Sequence, residues 1–250
     1  MKDIHNHLIF GIDDGSESIE TSIKILNEMS NRGVTEIVLT PHYIIGTNYN
    51  CNNKNKKEKL EELQKSTSIK LYLGNEVFID NNILENIDNN NISTINNSKY
   101  LLVELPLGEK LDIAYDILFN LRNKGIVPII AHPERYHYID LNTLVEYINL
   151  GCLLQGNITS LLGKYGKSAK ENLELLIKKQ MICILGTDTH HDCADLEKAY
   201  EILDKLVNKK LKEELLSKNF DKIINNEDIE AYKILDTSTF FKKERIKWNI

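Results

Sequence analysis

An α/β barrel of repeated strand–helix units is the fold this sequence predicts, and three observations carry the prediction. Short apolar, β-branched runs alternate with amphipathic charged segments along the whole chain, the mark of parallel strands joined by helices. The length, 250 residues, is that of an eight-fold α/β barrel and suits one domain with a sizeable core. His, Asp and Glu residues stand at the ends of nearly every predicted strand, on the side of a parallel barrel where strand ends converge.

Seven strands are predicted in order: Lys2 to His5, Glu36 to Thr40, Lys70 to Asn75, Tyr100 to Leu105, Val127 to Ala131, Cys152 to Gly156 and Met181 to Thr187. Apolar residues at three- and four-residue spacing predict helices near Ser18 to Arg32, Lys56 to Lys65, Lys110 to Lys124, Leu141 to Leu150, Ser168 to Lys179 and Asp195 to Asn208. Gly33, Gly125 and Gly151 follow three of these helices, where a left-handed C-cap is needed. Asn-rich stretches around Asn48 to Lys57 and Asn81 to Asn97 carry no assignable motif. Residues 209–250 read as further helix and then an extension rich in Phe240, Phe241 and Trp248.

Composition narrows the function classes. A net charge of −6 with no free-standing Lys/Arg stripe argues against a nucleic-acid partner, because that binding depends on a basic face that releases counterions. The N-terminus lacks a signal-peptide core, and no run approaches the roughly 20 apolar residues of a membrane span, so a cytoplasmic protein without membrane insertion is expected. Cys51, Cys152, Cys183 and Cys193 show no paired spacing and are expected to be free thiols.

The chemistry lies in the strand ends. His5 and His7 close the first strand, and His42, Glu76, Glu104, His132, Asp188 and His190 follow later ones. Period-two alternation puts His5 and His7 on one side of a strand, as a shared metal requires, and Asp188 and His190 have the same spacing. Taken singly, His42 and His132 read more readily as hydrogen-bonded structural histidines, whereas Glu76 and Glu104, carboxylates behind buried apolar strands, need a cation or hydrogen bonds, with a salt bridge at the rim as the plainer reading. Jointly, five of the seven histidines fall at these places beside carboxylates, which predicts a metal site. That many nitrogen and oxygen donors exceed the needs of one zinc and suit two or three ions such as manganese, iron or zinc.

Two familiar signatures of phosphate-handling enzymes fail on spacing. Cysteine-based phosphatases need an arginine six positions after the cysteine, and those positions hold Lys57, Ile158, Thr189 and Ala199. The segment Gly163-Lys164-Tyr165-Gly166-Lys167 lacks P-loop spacing. It reads as a βα loop at the barrel mouth, a candidate for meeting substrate.

The motifs Asp3-Ile4-His5-Asn6-His7, Gly11-Ile12-Asp13-Asp14-Gly15, Thr40-Pro41-His42, Gly74-Asn75-Glu76, Glu104-Leu105-Pro106, Ala131-His132-Pro133-Glu134-Arg135-Tyr136 and Gly186-Thr187-Asp188-Thr189-His190 resemble the PHP (polymerase and histidinol phosphatase) superfamily. Within it, the sequence looks like the manganese-dependent protein-tyrosine phosphatases of bacterial capsule and exopolysaccharide loci, the CpsB/YwqE type, over roughly residues 1 to 235. The resemblance implies one PHP domain over residues 1–250, a distorted (β/α)7 TIM-like barrel. It also implies a centre of two or three divalent ions, manganese first and iron or zinc as alternatives, held by His5, His7, Asp14, His42, Glu76, Glu104, His132, Asp188 and His190. Asp14, in the first βα loop, comes from the resemblance alone; its plainer reading is a capping turn with Ser16 and Ser18.

Arg135 resembles the family's phosphate-binding arginine, in a chain with only four arginines. With His42 and Asp14 it forms the expected catalytic set. Three divalent cations against four carboxylates imply a positive bowl that attracts a phosphate dianion, with water attacking in line and no covalent enzyme intermediate. The implied partner is a phosphotyrosine protein, a bacterial tyrosine kinase, and a homo-oligomer is compatible with the resemblance. One departure stands out: relatives carry a second arginine after the last metal-binding histidine, whereas this loop reads His191-Asp192-Cys193-Ala194-Asp195. A small-molecule phosphatase of the histidinol-phosphate kind and a metal-containing, kinase-binding scaffold are the alternatives.

Overall fold

The computed structural model of the chain describes residues 1–229, so the Phe240, Phe241 and Trp248 extension lies outside the described residues. Nine strands occur, β1 (Lys2–Asp3), β2 (Glu36–Leu39), β3 (His42–Tyr43), β4 (Lys70–Leu73), β5 (Glu76–Phe78), β6 (Tyr100–Glu104), β7 (Val127–Ala131), β8 (Leu153–Asn157) and β9 (Ile184–Gly186), among the described residues. All pair in parallel, in the orders β1-β2-β4 and β3-β5-β6-β7-β8-β9. β2 runs into β3 and β4 into β5 across two-residue breaks at Thr40-Pro41 and Gly74-Asn75. The nine strands are therefore seven staves, two of them broken.

The ring closes between the first and last staves. Asn6 and Thr189 form a parallel bridge, the Asp188 amide donates to the His5 carbonyl at 2.8 Å, and the His7 amide donates to the Thr189 carbonyl at 2.9 Å. Buried Asp3 locks this seam, its carboxylate accepting the Thr187 amide and hydroxyl, both at 2.8 Å. Gly186 is required here, because a Cβ on it would lie 2.7 Å from the His5 Cβ.

The seven predicted strands all form, and the predicted helices correspond to α1 (Ile19–Asn31), α2 (Asn53–Gln64), with α3 (Ile83–Asp88) an addition, then α4 (Ala114–Asn123), α5 (Leu141–Asn149), α6 (Lys167–Lys178) and α7 (Leu196–Leu206). Ser18, Asn52 and Asp140 cap α1, α2 and α5 by accepting the amides of Thr21, Asn55 and Thr143, worth about 1 kcal/mol each. Gly33, Gly125 and Gly151 take φ values of 81°, 83° and 94°, the left-handed caps expected of them. α4 begins four residues later than its pattern predicts, since Leu111 to Ala114 form a turn closed by the Ala114 amide on the Leu111 carbonyl.

Strand alternation sorts the core. Leu102, Ile129, Leu153 and Ile184 point into the barrel with Ile4, Val38 and Tyr72, while Leu101, Val103, Ile130, Leu154 and Leu185 pack outward under the helices. The base of the barrel is plugged by the C-terminal helices α8 (Lys209–Glu213) and α9 (Asn219–Ile224), joined by a π-helical turn over Glu214–Lys218. Phe220 is fully buried there, edge-on to Tyr72 with ring centroids 5.9 Å apart. Burying such a side chain stabilises by about 3 kcal/mol, and filling the base with apolar groups leaves the mouth to polar ones.

Candidate metal centre

The staves deliver their polar residues to the mouth because each apolar run ends there. His5 and His7 leave the end of β1 on the same side, with Nε2 atoms 3.3 Å apart. The other nitrogen of each ring is engaged: His5 Nδ1 lies 2.8 Å from Gln155 Oε1 and His7 Nδ1 lies 2.7 Å from Asp13 Oδ2. Those contacts engage Nδ1, so both Nε2 atoms face the bowl and each other. Two ring nitrogens this close repel unless a proton or a metal cation lies between them.

Glu76 reaches the middle of the bowl from the start of β5. Its Oε2 lies 3.1 Å from His5 Nε2, 3.2 Å from His7 Nε2 and 3.2 Å from His42 Nδ1, yet makes no hydrogen bond. Its Oε1 lies 3.0 Å from His132 Nε2. Asp188 Oδ1 adds a second oxygen, 3.4 Å from His5 Nε2 and 3.5 Å from His7 Nε2. Glu104 approaches His132 Nε2 at 3.7 Å and His42 Nδ1 at 3.9 Å. Asp14 Oδ1 lies 3.7 Å from His42 Nε2 and 3.6 Å from His190 Nε2.

Three overlapping groups of donor atoms emerge: His5, His7, Glu76 and Asp188; His7, Asp14, His42 and His190; and His42, Glu76 and Glu104. These contain eight of the nine residues expected from the sequence, and His132 joins through Glu76. All are buried or nearly so except Asp14, half exposed, and His190, a quarter exposed. His132 and Asp188 have φ values of 34° and 52°. That left-handed backbone is strained for non-glycine residues, and strain of this kind gathers at functional sites.

The electrostatics match the geometry. Burial opposes charge on His5, but the Glu76 and Asp188 carboxylates outweigh it and raise its pKa to about 9. Burial likewise opposes ionisation of Glu76, but His5, His42 and His132 hold it well below the usual range. Glu104 is pushed up to about 8 by burial and by Glu76. The crowded carboxylates draw a proton onto His5, and a divalent cation supplies the same positive charge, so these carboxylates and imidazoles fit hard to borderline divalent ions.

Several functional side chains escape sequence reasoning. Asp13, beside the expected Asp14, also accepts the His42 amide at 2.9 Å and so ties the first βα loop to the start of β3. That loop can reach the bowl because Gly15 follows, where a Cβ would lie 2.0 Å from the His7 carbonyl oxygen. β8 brings no candidate ligand, but its inward residues organise those of its neighbours. Gln155 meets His5, Gln155 Nε2 donates to Asn157 Oδ1 at 3.0 Å, and Asn157 Nδ2 donates to Asp188 Oδ2 at 2.7 Å. Buried Glu134 accepts the Asn157 amide at 2.9 Å and the Ser160 hydroxyl at 2.8 Å, and burial raises its pKa to about 7. The period-two pair Gln155 and Asn157 was the available signal.

Arg135 stands at the rim, its side chain 20% exposed, with Nη1 donating to Asp188 Oδ2 at 3.1 Å. In the loop from His191 to Asp195, where the resemblance leads to the expectation of an arginine, Asp195 pairs with Lys198 at 2.6 Å.

Comparison with known proteins adds three findings. The family model for capsular polysaccharide synthesis, CpsB/CapC, matches residues 1–225. CapC of Staphylococcus aureus is 38% identical over 197 residues, covering 76% of this chain and 77% of its own, and the tyrosine-protein phosphatase CpsB of Streptococcus pneumoniae is 30% identical over 238 residues, covering 90% and 98%. A solved structure described as YwqE from Bacillus subtilis and CpsB from Streptococcus pneumoniae, unique metal-dependent tyrosine phosphatases, superposes with a TM-score of 0.86 at 26% identity, covering 93% of this chain and 98% of that one.

Proposed function

This chain belongs to the CpsB/CapC family of capsular polysaccharide synthesis, and on that premise we propose that it is a metal-dependent protein-tyrosine phosphatase. Its substrate is a phosphotyrosine protein, in our reading a bacterial tyrosine kinase of capsule or exopolysaccharide synthesis. The observation that carries the proposal is Glu76 Oε2, buried among three imidazoles without a hydrogen bond. A lone oxygen in that position is costly unless a cation compensates it.

His5, His7, Glu76 and Asp188 would hold one ion, Asp14, His42 and His190 another, and Glu76 and Glu104 with His132 a third. Bound divalent ions, manganese first and iron or zinc as alternatives, supply Lewis-acid activation of water and neutralise phosphoryl charge. The chain does the rest. Asp13 and Gln155 keep the Nε2 lone pairs of His7 and His5 directed inward. Arg135 binds phosphoryl oxygens with N–H groups that have no acceptor among the described residues. Asp14, half exposed with His42 beside it, stands at the mouth where water and the leaving group pass. A phenolate leaving group, with a pKa near 10, departs without needing a covalent enzyme intermediate.

Among the described residues no helix is long and apolar enough to cross a membrane, and the four cysteines are free, which supports a cytoplasmic setting. The proposal is tested by comparing manganese-loaded protein on phosphotyrosyl peptides and on histidinol phosphate. Preference for the peptides is expected. Preference for histidinol phosphate replaces the substrate assignment with the small-molecule one, and no turnover of either with metal retained favours the scaffold.

A further inference from the structure

The βα loop Gly163-Lys164-Tyr165-Gly166 has no part in the ligand set, yet it delivers one side chain to the rim of the bowl. Gly163 and Gly166 take φ values of 81° and 94°, so the chain reverses on either side of Tyr165. The Tyr165 ring lies under Arg135, whose Cζ is 4.2 Å from the ring centroid. Its hydroxyl donates to Asp188 Oδ2 at 3.1 Å, the oxygen that also receives Arg135 Nη1 at 3.1 Å and Asn157 Nδ2 at 2.7 Å.

We infer that Tyr165 is a positioning residue for Arg135, its ring fixing the direction in which the guanidinium presents its free N–H groups to a phosphoryl group. The inference rests on the phosphatase reading above and deepens it. Arg135 has one hydrogen-bonded contact among the described residues, to Asp188, and one point cannot orient a planar fork. The aromatic face supplies the second support, and the partial burial of the arginine strengthens attraction between cation and ring. The hydroxyl is the lesser part, because Asp188 Oδ2 keeps two other donors when it is removed. Ring and hydroxyl are therefore separable by substitution.

The experiment uses the manganese-loaded full chain, with inorganic phosphate binding by calorimetry, metal content, and KM and kcat on a phosphotyrosyl peptide. Tyr165→Leu is expected to weaken phosphate binding and raise KM about tenfold at unchanged metal content, and Tyr165→Phe to stay within about threefold of the parent. In an Arg135→Ala background, Tyr165→Leu should add no further loss, since the two side chains act as a unit. Equal behaviour of the Phe and Leu variants overturns the inference. So does loss of metal from Tyr165→Leu, which makes the residue a support of Asp188 instead. A parent protein that neither binds phosphate nor turns over peptide overturns the phosphatase reading and the inference with it.

Discussion

The ends of β1 and β8 place side chains in the same way and use them differently. His5 and His7 leave one strand at period two toward the bowl, and Gln155 and Asn157 leave another with the same spacing. The first pair turns its Nε2 atoms to the centre; the second offers amides that hold His5 and Asp188 in place. A carboxamide can donate and accept at once, so it fixes an imidazole tautomer and a carboxylate rotamer together. Ligand supply and ligand orientation are divided between staves. A stave without a ligand is still part of the site.

The largest effect should come from the donor side of this comparison. Glu76→Gln removes the charge shared by two donor groups, and activity is expected to fall more than about a thousandfold with loss of metal. Elemental analysis beside the rate checks both. Arg135→Ala comes next, with turnover down on the order of a hundredfold and metal retained; retained activity contradicts its role. Gln155→Leu and Asn157→Leu sharpen the contrast. Each should cost about 10- to 100-fold in metal affinity, as expected of groups that orient ligands, read as the manganese concentration giving half-maximal activity. If either costs as much as Glu76→Gln, the division between donors and orienters fails.

The smallest effect on activity lies in the break between β4 and β5. Lys56 is fully buried and donates to Asn75 Oδ1, while Asn75 Nδ2 donates to the Pro41 carbonyl at 2.9 Å, so one lysine ties both broken staves. Burial pushes its pKa from 10.5 down to about 7. Between those values the folded chain binds fewer protons than the unfolded one. This side chain therefore makes stability rise with pH between about 7 and 10.5, by up to about 1.4 kcal/mol per unit, and adds no pH dependence outside that window. Urea unfolding of chelator-treated protein should show the parent gaining stability relative to Lys56→Met between about pH 7 and pH 9. Parallel behaviour of the two contradicts it.

What was legible in the sequence followed from period and chemistry. The continuous staves β6 to β9 announce themselves as apolar runs, and imidazoles behind such runs are conspicuous. β3 and β5 were missed because two- and three-residue strands show no alternation; they exist only because the staves break at Pro41 and Asn75. α3 buries only Ile83, too little for a helical stripe. Asp14 could be expected by resemblance alone, since a loop carboxylate has no period to betray it. Asp13 and Tyr165 sit in loops and act through His7 and Arg135, while Gln155 and Asn157 show period two but carry amides that a search for metal ligands passes over.

The most direct test of the metal-centred account is to count ions per chain and measure phosphotyrosyl-peptide hydrolysis before chelation, after it, and after manganese is restored. Two or three ions lost together with activity, and both regained, are the expected result. Turnover that survives removal of the ions, or a folded chain that takes up none, contradicts it.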